Sequence, residues 1–156
     1  MNPSERLAAM GMQLPGIANP VGSYVPAVRS GHQVLTSGQL PVRDGELVCA
    51  GKVGADVTLE EAHAAAGLAG MNALAAIAMV SGGIDRIARI VRVCVFVNSA
   101  PGFTDQPKVA NGASDLFAGI FDAAGRHCRS AVGVAELPLN AAVELELVAE
   151  VLDLPQ

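Results

Sequence analysis

The chain has 156 residues, a formal charge of −5, and 51 % hydrophobic but only 16 % charged side chains. This length fits one domain that buries about two-thirds of its unfolded surface, and the acidic balance without Lys/Arg runs argues against a nucleic-acid partner. Because soluble domains usually carry about 25 % charged residues, we expect apolar surface to be covered by self-association, the alternative being a monomer with an Ala- and Gly-rich surface.

The N-terminal residues 1–18 are predicted to form an extension ahead of a single domain at residues 19–156. Residues 4–10 favour a short helix with Ser4 as its cap, because a serine oxygen accepts from the free amides of a first turn. Prolines and a glycine downstream then break the helix.

Two strands are predicted next, at residues 24–28 and 33–39. Pro26 cannot donate to a β-ladder, so the first strand is expected at a sheet edge. Gly38 ends the second strand with a backbone that can approach a ligand closely, although an ordinary turn glycine would give the same pattern. An Asp-Gly turn then leads into a short third strand at residues 46–49.

A long helix is predicted from Thr58 to about Val80. It opens with the capping box Thr58-Leu59-Glu60-Glu61, in which the threonine and the last glutamate bond each other's backbone amides. Its surface is apolar over much of its girth, so we expect it to be well buried. Gly67 and Gly70 each cost roughly 1 kcal/mol against alanine, which indicates tight packing at these positions. Ser81-Gly82-Gly83 ends the helix.

A strand at residues 87–98 and a helix at residues 106–124 follow. Cys94 is predicted to be a core residue of the strand, and Asp105 is the candidate cap of the helix. By alternation, one face of the strand is predicted to carry Arg89, Val91, Val93, Val95 and Val97.

The final stretch, residues 129–151, is predicted to be a hairpin that turns around Pro138. A hairpin symmetric about this proline pairs Arg129 with Leu147. In the second strand, Glu144, Glu146 and Glu150 fall on one face and Val143, Leu145, Leu147 and Val151 on the other.

The order of elements is therefore β-β-(β)-α-β-α-β-β. This order is typical of an α+β or mixed α/β sandwich in which both helices pack on one face of a mixed sheet.

Arg129 is the first candidate functional residue. A lone arginine beside a strand rich in glutamate suggests recognition of an anion next to a carboxylate that can move protons. The alternative is an edge arginine in a surface ion pair, which contributes little to stability.

Three stretches of the sequence carry a family resemblance. They are residues 22–28, residues 35–41 and a C-terminal stretch that comprises Arg129-Ser130-Ala131-Val132, Ala135-Glu136-Leu137-Pro138 and Val143-Glu144-Leu145-Glu146. In this order, and together running from about Asn19 to Val151, they resemble the N-terminal strand, the second strand with its turn, and the C-terminal signature of the RidA/YjgF family. The members are small enamine/imine deaminases, many of which are labelled endoribonuclease L-PSP.

The resemblance implies a chorismate-mutase-like fold that assembles as a homotrimer, with active sites in the clefts between subunits. It implies that Arg129 clamps the carboxylate of a small substrate and that Glu144 positions or activates the attacking water. Tyr24, Ser37 and Gly38 are implied to line the same pocket. The implied reaction converts an enamine such as 2-aminoacrylate, through its imine and water, into a 2-keto acid and ammonia, without a metal or cofactor.

The chain departs from the family pattern at Ala131, where central members carry a cysteine. This departure keeps a second hypothesis open, a non-catalytic binder of 2-keto acids that uses the same cleft. An endoribonuclease is disfavoured by the acidic balance, and a chorismate mutase would rest on fold alone. If Arg129 and Glu144 serve one site, either a bulge shifts the hairpin register or the two act in different subunits' sites.

The remaining expectations concern compartment and metals. The three cysteines, Cys49, Cys94 and Cys128, form no C-x-x-C pair, and the first residues lack the apolar core of a signal peptide. No segment offers 18 uninterrupted apolar residues, so no membrane partner is expected, and a reduced, cytoplasmic setting follows. The three histidines lack metal-ligand spacing, so no metal is expected.

Overall fold

The computed structural model describes residues 1–17 and 22–153. Its helices are α1 (Pro3–Ala9), α2 (Leu59–Ser81) and α3 (Gln106–Phe121). Its strands are β1 (Ala27–Ser30), β2 (Gln33–Thr36), β3 (Val42–Arg43), β4 (Glu46–Leu47), β5 (Ile87–Asn98), β6 (Cys128–Val134) and β7 (Val143–Val151). Five strands form one mixed sheet in the order β1-β2-β7-β5-β6, and β3 and β4 form a separate hairpin. The predicted boundary between residues 18 and 19 lies outside the described residues.

The predicted hairpin of the C-terminal stretch is wrong, because β5 lies between its two strands. β6 pairs with β5 in parallel, and β7 pairs with β5 antiparallel. Val93 of β5 pairs with Arg129 of β6 on one edge and with Leu147 of β7 on the other. Arg129 and Leu147 are therefore at the same level of the sheet, but β5 separates them. β5 is apolar and longer than β6 and β7, and it forms a hydrogen-bonded ladder along each of its two edges. These two ladders take the place of direct pairing between β6 and β7.

One face of the sheet is buried and the other is open within the chain. β7 alternates as predicted, with Val143, Leu145 and Leu147 fully buried and the glutamates on the open face. In β5 the predicted face is wrong in its first half, because register shifts between Ile87 and Arg89 and between Ile90 and Arg92 bring Ile90 to the buried face instead of Val91. Bulges of this kind add a residue and reverse the alternation. Cys94 also lies on the open face, partly exposed, and not in the core.

α2 and α3 cover the buried face together, as the two-helix arrangement predicted. The α2 capping box is present, and Gly82 ends the helix in the left-handed conformation. The glycines of α2 give the expected tight packing, but against α3: a Cβ on Gly67 would lie 3.3 Å from the Gly112 carbonyl oxygen, and one on Gly70 would lie 3.1 Å from the ring of Phe117. By length and composition α2 could cross a membrane, yet 67 % of its apolar window is buried in the fold, as in a core helix.

Several element ends differ from the predictions for local reasons. α1 is capped by Asn2 with Glu5, while Ser4 donates its hydroxyl to Asp85 instead. The first strand starts at Ala27, after Pro26, and lies at the predicted sheet edge. The side chain of Asp105 makes no capping hydrogen bond, and α3 ends at Phe121 in a short 3-10 turn.

The contact between the helices predicts that Gly112→Ala is strongly destabilising. A Cβ at Gly112 would overlap with the backbone carbonyl of His63 on α2, which cannot rotate away, so the helices must separate. We expect a loss of about 2–3 kcal/mol in the free energy of unfolding, measured by urea denaturation.

The matched control is Gly119→Ala in the same helix. A Cβ there meets the end of the flexible Met10 side chain at 3.3 Å, and the removal of a helical glycine favours the helix. This variant should be neutral or more stable by about 0.5–1 kcal/mol. Equal effects of the two substitutions would contradict a close helix contact at Gly112.

Candidate functional site

Arg129 lies on the edge strand β6 and faces the helix layer, level with the buried Val93. Its Nη1 donates to Asn111 Oδ1 at 2.8 Å and to Ser114 Oγ at 3.1 Å, and its Nη2 donates to the Pro107 carbonyl oxygen at 3.3 Å. All three acceptors belong to α3. Within residues 1–17 and 22–153 no carboxylate lies within ion-pair distance of this guanidinium, so the surface ion pair alternative is wrong.

The bonds to α3 leave a defined part of the guanidinium available. A guanidinium has five N–H donors, and the three bonds use both on Nη1 and one on Nη2. In the described part of the chain, the Nε–H and the second Nη2–H remain without an acceptor. The side-on edge of a guanidinium consists of its Nε–H and one Nη2–H and can bind a carboxylate through two parallel hydrogen bonds, and in Arg129 the Nε–H of this edge is available.

Ala131 lies two residues further along β6 on the same face, next to the fully buried Val95, and packs partly against the core. Because alanine carries no thiol, this position places none beside Arg129. Cys128 lies on the opposite face, as alternation predicts, and its Sγ donates to the Val91 carbonyl oxygen at 3.3 Å.

Glu144 lies on the open face of β7 and packs directly on Gly38. The segment that follows β2 joins β7 through two backbone bonds, from Gln39 N to Leu145 O at 2.8 Å and from Leu145 N to Gln39 O at 2.9 Å. A Cβ on Gly38 would overlap with the Glu144 carboxylate. Gly38 is therefore required for the close approach of this carboxylate to the backbone, whereas the predicted approach of a ligand to Gly38 stays a prediction.

Burial is the main cause of an altered acidity at Glu144. Desolvation raises the pKa of this carboxyl above its ordinary value, and the neighbouring charge of Glu146 raises the pKa further. A carboxylate with a raised pKa is a stronger base than an exposed one, so Glu144 can take up a proton from water more readily.

Tyr24 and Ser37 lie near Gly38 at the same end of the sheet. The Ser37 hydroxyl donates to the Val25 carbonyl oxygen at 2.7 Å, and the Ser37 amide donates to the Pro26 carbonyl oxygen at 2.8 Å. Ser37 thus fixes the backbone that carries Tyr24, whose side chain is 50 % exposed. Tyr24 and Gly38 also border a groove of about 1370 Å³ that runs between residues 10–17, α2, α3 and the β3–β4 hairpin, and Arg129 does not line this groove.

The predicted site residues therefore fall into two groups in one chain. Tyr24, Ser37, Gly38 and Glu144 lie together at one end of the sheet. Arg129 and Ala131 lie on the edge strand, on the other face of the sheet. Since neighbouring strands are about 4.8 Å apart, β6 and β7 are separated by about 10 Å, and Arg129 and Glu144 are further offset along the strands. One chain does not bring these two side chains to a common point.

Three residues that hold Arg129 were missed at the sequence level. Pro107, Asn111 and Ser114 follow one another at helical spacing on one face of α3, and His127 bonds to Ser114. Asn111 and Ser114, polar residues three positions apart on a predicted helix, could have signalled this face, whereas the Pro107 contribution is a backbone carbonyl and has no sequence signal.

Comparisons with known proteins give a consistent match. The family model described as "YjgF/chorismate mutase-like, putative endoribonuclease" matches residues 4–151. Protein TCP17 of Trypanosoma cruzi is 45 % identical over 145 residues, covering 92 % of this chain and 91 % of that protein. The 2-iminobutanoate/2-iminopropanoate deaminase of Dermatophagoides farinae is 34 % identical over 129 residues, covering 81 % of this chain and 84 % of that protein. A crystal structure from Shewanella oneidensis with an endoribonuclease name has a TM-score of 0.93 at 39 % identity, covering 97 % of this chain and 100 % of that chain.

The electrostatics of Glu144 predict the effect of Glu146→Gln. Removal of the neighbouring charge should lower the pKa of Glu144, while burial keeps the pKa above the ordinary value. The pKa is measured by a carboxyl carbon-13 NMR titration, with Glu150→Gln on the same face as the control. Because the folded pKa lies above the unfolded one, the native state binds more protons between the two values, and stability falls as pH rises through that interval. An unchanged Glu144 titration in Glu146→Gln would contradict this assignment.

Proposed function

The chain belongs to the YjgF/chorismate-mutase-like family, and from this membership we propose that it hydrolyses enamines and imines derived from 2-amino acids to 2-keto acids and ammonia. The observation that carries the proposal is the available side-on edge of Arg129, whose guanidinium is held in place by three hydrogen bonds that it donates to α3. The name of the Dermatophagoides farinae relative, an iminobutanoate/iminopropanoate deaminase, supports the same substrate class.

In this proposal Arg129 binds the substrate carboxylate. A planar guanidinium fits a carboxylate through two parallel bonds, which set the orientation of the substrate as well as its charge complementarity. The carbon that reacts is attached to this carboxylate, so its position relative to the protein is set by the clamp. Orientation of this kind is a large part of what such a reaction requires.

Glu144 moves the protons. A 2-aminoacrylate enamine gains a proton at its terminal carbon and loses one from its nitrogen to give the imine, and water then adds to the imine carbon. Glu144 first carries a proton from that water to the imine nitrogen, which gives a carbinolamine. It then carries the hydroxyl proton of the carbinolamine to the same nitrogen, which leaves as ammonia while the carbonyl of the 2-keto acid forms. The raised pKa of Glu144 supports this role, because a general base works best when its pKa approaches the operating pH. No step requires the thiol that Ala131 replaces.

Because one chain separates Arg129 from Glu144, the proposal includes a site shared between copies of the chain in a homotrimer. Exposed apolar side chains on the open sheet face support an interface there. Val28, Leu35 and Val132 lie on this face at 50 %, 38 % and 43 % exposure, and exposed apolar surface of this kind is typical of interaction surfaces. The three free thiols are in keeping with the proposed cytoplasmic setting.

The first test is hydrolysis of freshly generated 2-iminobutanoate by the wild-type protein and by Arg129→Ala. We expect the wild type to release 2-ketobutyrate and ammonia at a rate above that of the spontaneous reaction. Arg129→Ala should lower kcat/KM by roughly 100-fold, because the substrate carboxylate loses its charged partner. Arg129→Lys should be intermediate, since an ammonium is a point charge without the two parallel donors.

Thermal unfolding of each variant is the control for folding. If the wild type does not exceed the spontaneous rate for several imino acids, the deaminase proposal is wrong. Saturable binding of 2-ketobutyrate without turnover, lost in Arg129→Ala, would then support the binder hypothesis instead.

A shared site predicts complementation between two inactive variants. Arg129→Ala retains Glu144, and Glu144→Gln retains Arg129, so mixed trimers contain some clefts with both residues intact. Random mixing of equal amounts should restore about one quarter of the wild-type activity, since each intact cleft needs one subunit of each kind in the right order. The variants are unfolded and refolded together, and each is also refolded alone. Activity no higher than that of the separate variants, in confirmed mixed trimers, would contradict a shared site.

A further inference from the structure

A buried-to-surface chain of hydrogen bonds ends at Arg129. The ring of His127 packs edge-on against the fully buried Phe117, with centroids 5.9 Å apart and planes at 79°. Its Nδ1 lies 2.6 Å from the Gly125 carbonyl oxygen, and its Nε2 lies 2.9 Å from Ser114 Oγ. Ser114 Oγ in turn accepts from Arg129 Nη1 at 3.1 Å. The arginine is thus connected to the core through two intermediate side chains.

The directions of these bonds follow from donor and acceptor chemistry. A carbonyl oxygen only accepts, so the hydrogen of the neutral imidazole is on Nδ1 and Nε2 is an acceptor. The Ser114 hydroxyl then donates to Nε2. This fixes the rotation of the hydroxyl and turns an oxygen lone pair toward Arg129. Each hydrogen bond in this series then has a defined direction, and the Nη1 of Arg129 is held on the side away from its free edge.

We propose that Ser114 and His127 are positioning residues, which hold Arg129 so that its Nε–H and second Nη2–H face the carboxylate of a bound 2-keto or 2-imino acid. This inference rests on the proposed function, because it assigns these residues to the same carboxylate site. An arginine side chain has many rotamers, and a ligand that must order them loses affinity. Anchoring Nη1 before the ligand arrives removes that loss, in the manner of other preorganised sites.

The deciding measurement is the dissociation constant of 2-ketobutyrate, obtained by calorimetry on the full chain. We expect Ser114→Ala to weaken binding by about tenfold, since the guanidinium loses an anchor but keeps its charge. Ser114→Thr retains the hydroxyl and should bind within about twofold of the wild type. His127→Asn keeps a donor for the Gly125 carbonyl oxygen but removes the acceptor for Ser114, and should weaken binding by about threefold.

Ser130→Ala is the matched control. Ser130 accepts from Arg92 Nη2 at 2.9 Å on the opposite face of the same strand, so this variant also loses one serine–arginine bond. Its affinity for 2-ketobutyrate should equal that of the wild type. In the hydrolysis assay Ser114→Ala should raise KM and leave kcat within about twofold, a split that general loss of folded protein does not produce. Nitrogen-15 NMR should find His127 with its hydrogen on Nδ1.

The outcomes separate this inference from the deaminase proposal. Arg129-dependent binding that Ser114→Ala weakens, in a protein without imine hydrolysis, supports the positioning role and rejects the deaminase. Hydrolysis and binding unchanged in Ser114→Ala reject the positioning role and leave the deaminase. A wild type that does not bind 2-ketobutyrate through Arg129, an equal loss in Ser130→Ala, or His127 with its hydrogen on Nε2 would each overturn the inference.

Discussion

The position of β5 in the middle of the sheet determines where every candidate functional side chain lies. β5 forms an antiparallel ladder with β7 along one edge and a parallel ladder with β6 along the other. Its buried residues, Val93, Val95 and Val97, anchor both ladders to the helix layer. Because side chains alternate along each strand, this arrangement directs Arg129 toward α3 and Glu144 toward the open face. The two residues that the family resemblance assigns to one reaction are therefore held apart by the central strand β5.

The helix layer adds a second constraint, which acts on Arg129 alone. α3 approaches α2 closely enough that Gly112 lies against the backbone of His63. This contact fixes the position of α3 over β6, so that Asn111, Ser114 and the Pro107 carbonyl oxygen meet the guanidinium. Small residues in the core thus set the geometry of a polar site at the surface. A shift of α3 by about 1 Å would disturb all three bonds, because hydrogen bonds weaken steeply with distance.

Much of the fold could be predicted from the sequence, because local sequence patterns determine where many of its helices and strands begin, end and alternate. The capping box at Thr58, the glycines after Ser81 and the alternation in β7 each depend on neighbours in the chain, and each is present in the structure. The C-terminal pairing could not be predicted in this way. Whether β6 pairs with β7 or with β5 depends on a strand some forty residues earlier, and nothing local to Pro138 distinguishes the two. The bulges in β5 moved Val91 off the buried face for the same reason, since they arise from the register with β7.

Single candidate site residues could be selected from the sequence, but their spatial arrangement could not. Glycine at position 38 and glutamate at position 144 belong together because the backbone approaches the carboxylate, and both were selected from the sequence. The support for Arg129 comes from α3 and from His127, whose relation to the arginine exists only after the chain has folded. Each group is prepared within its own chain: the guanidinium by three bonds, the carboxylate by burial and by Glu146. In the proposed shared site, association of the chains has only to bring these two preordered groups together, so that little of the association free energy is spent on ordering side chains.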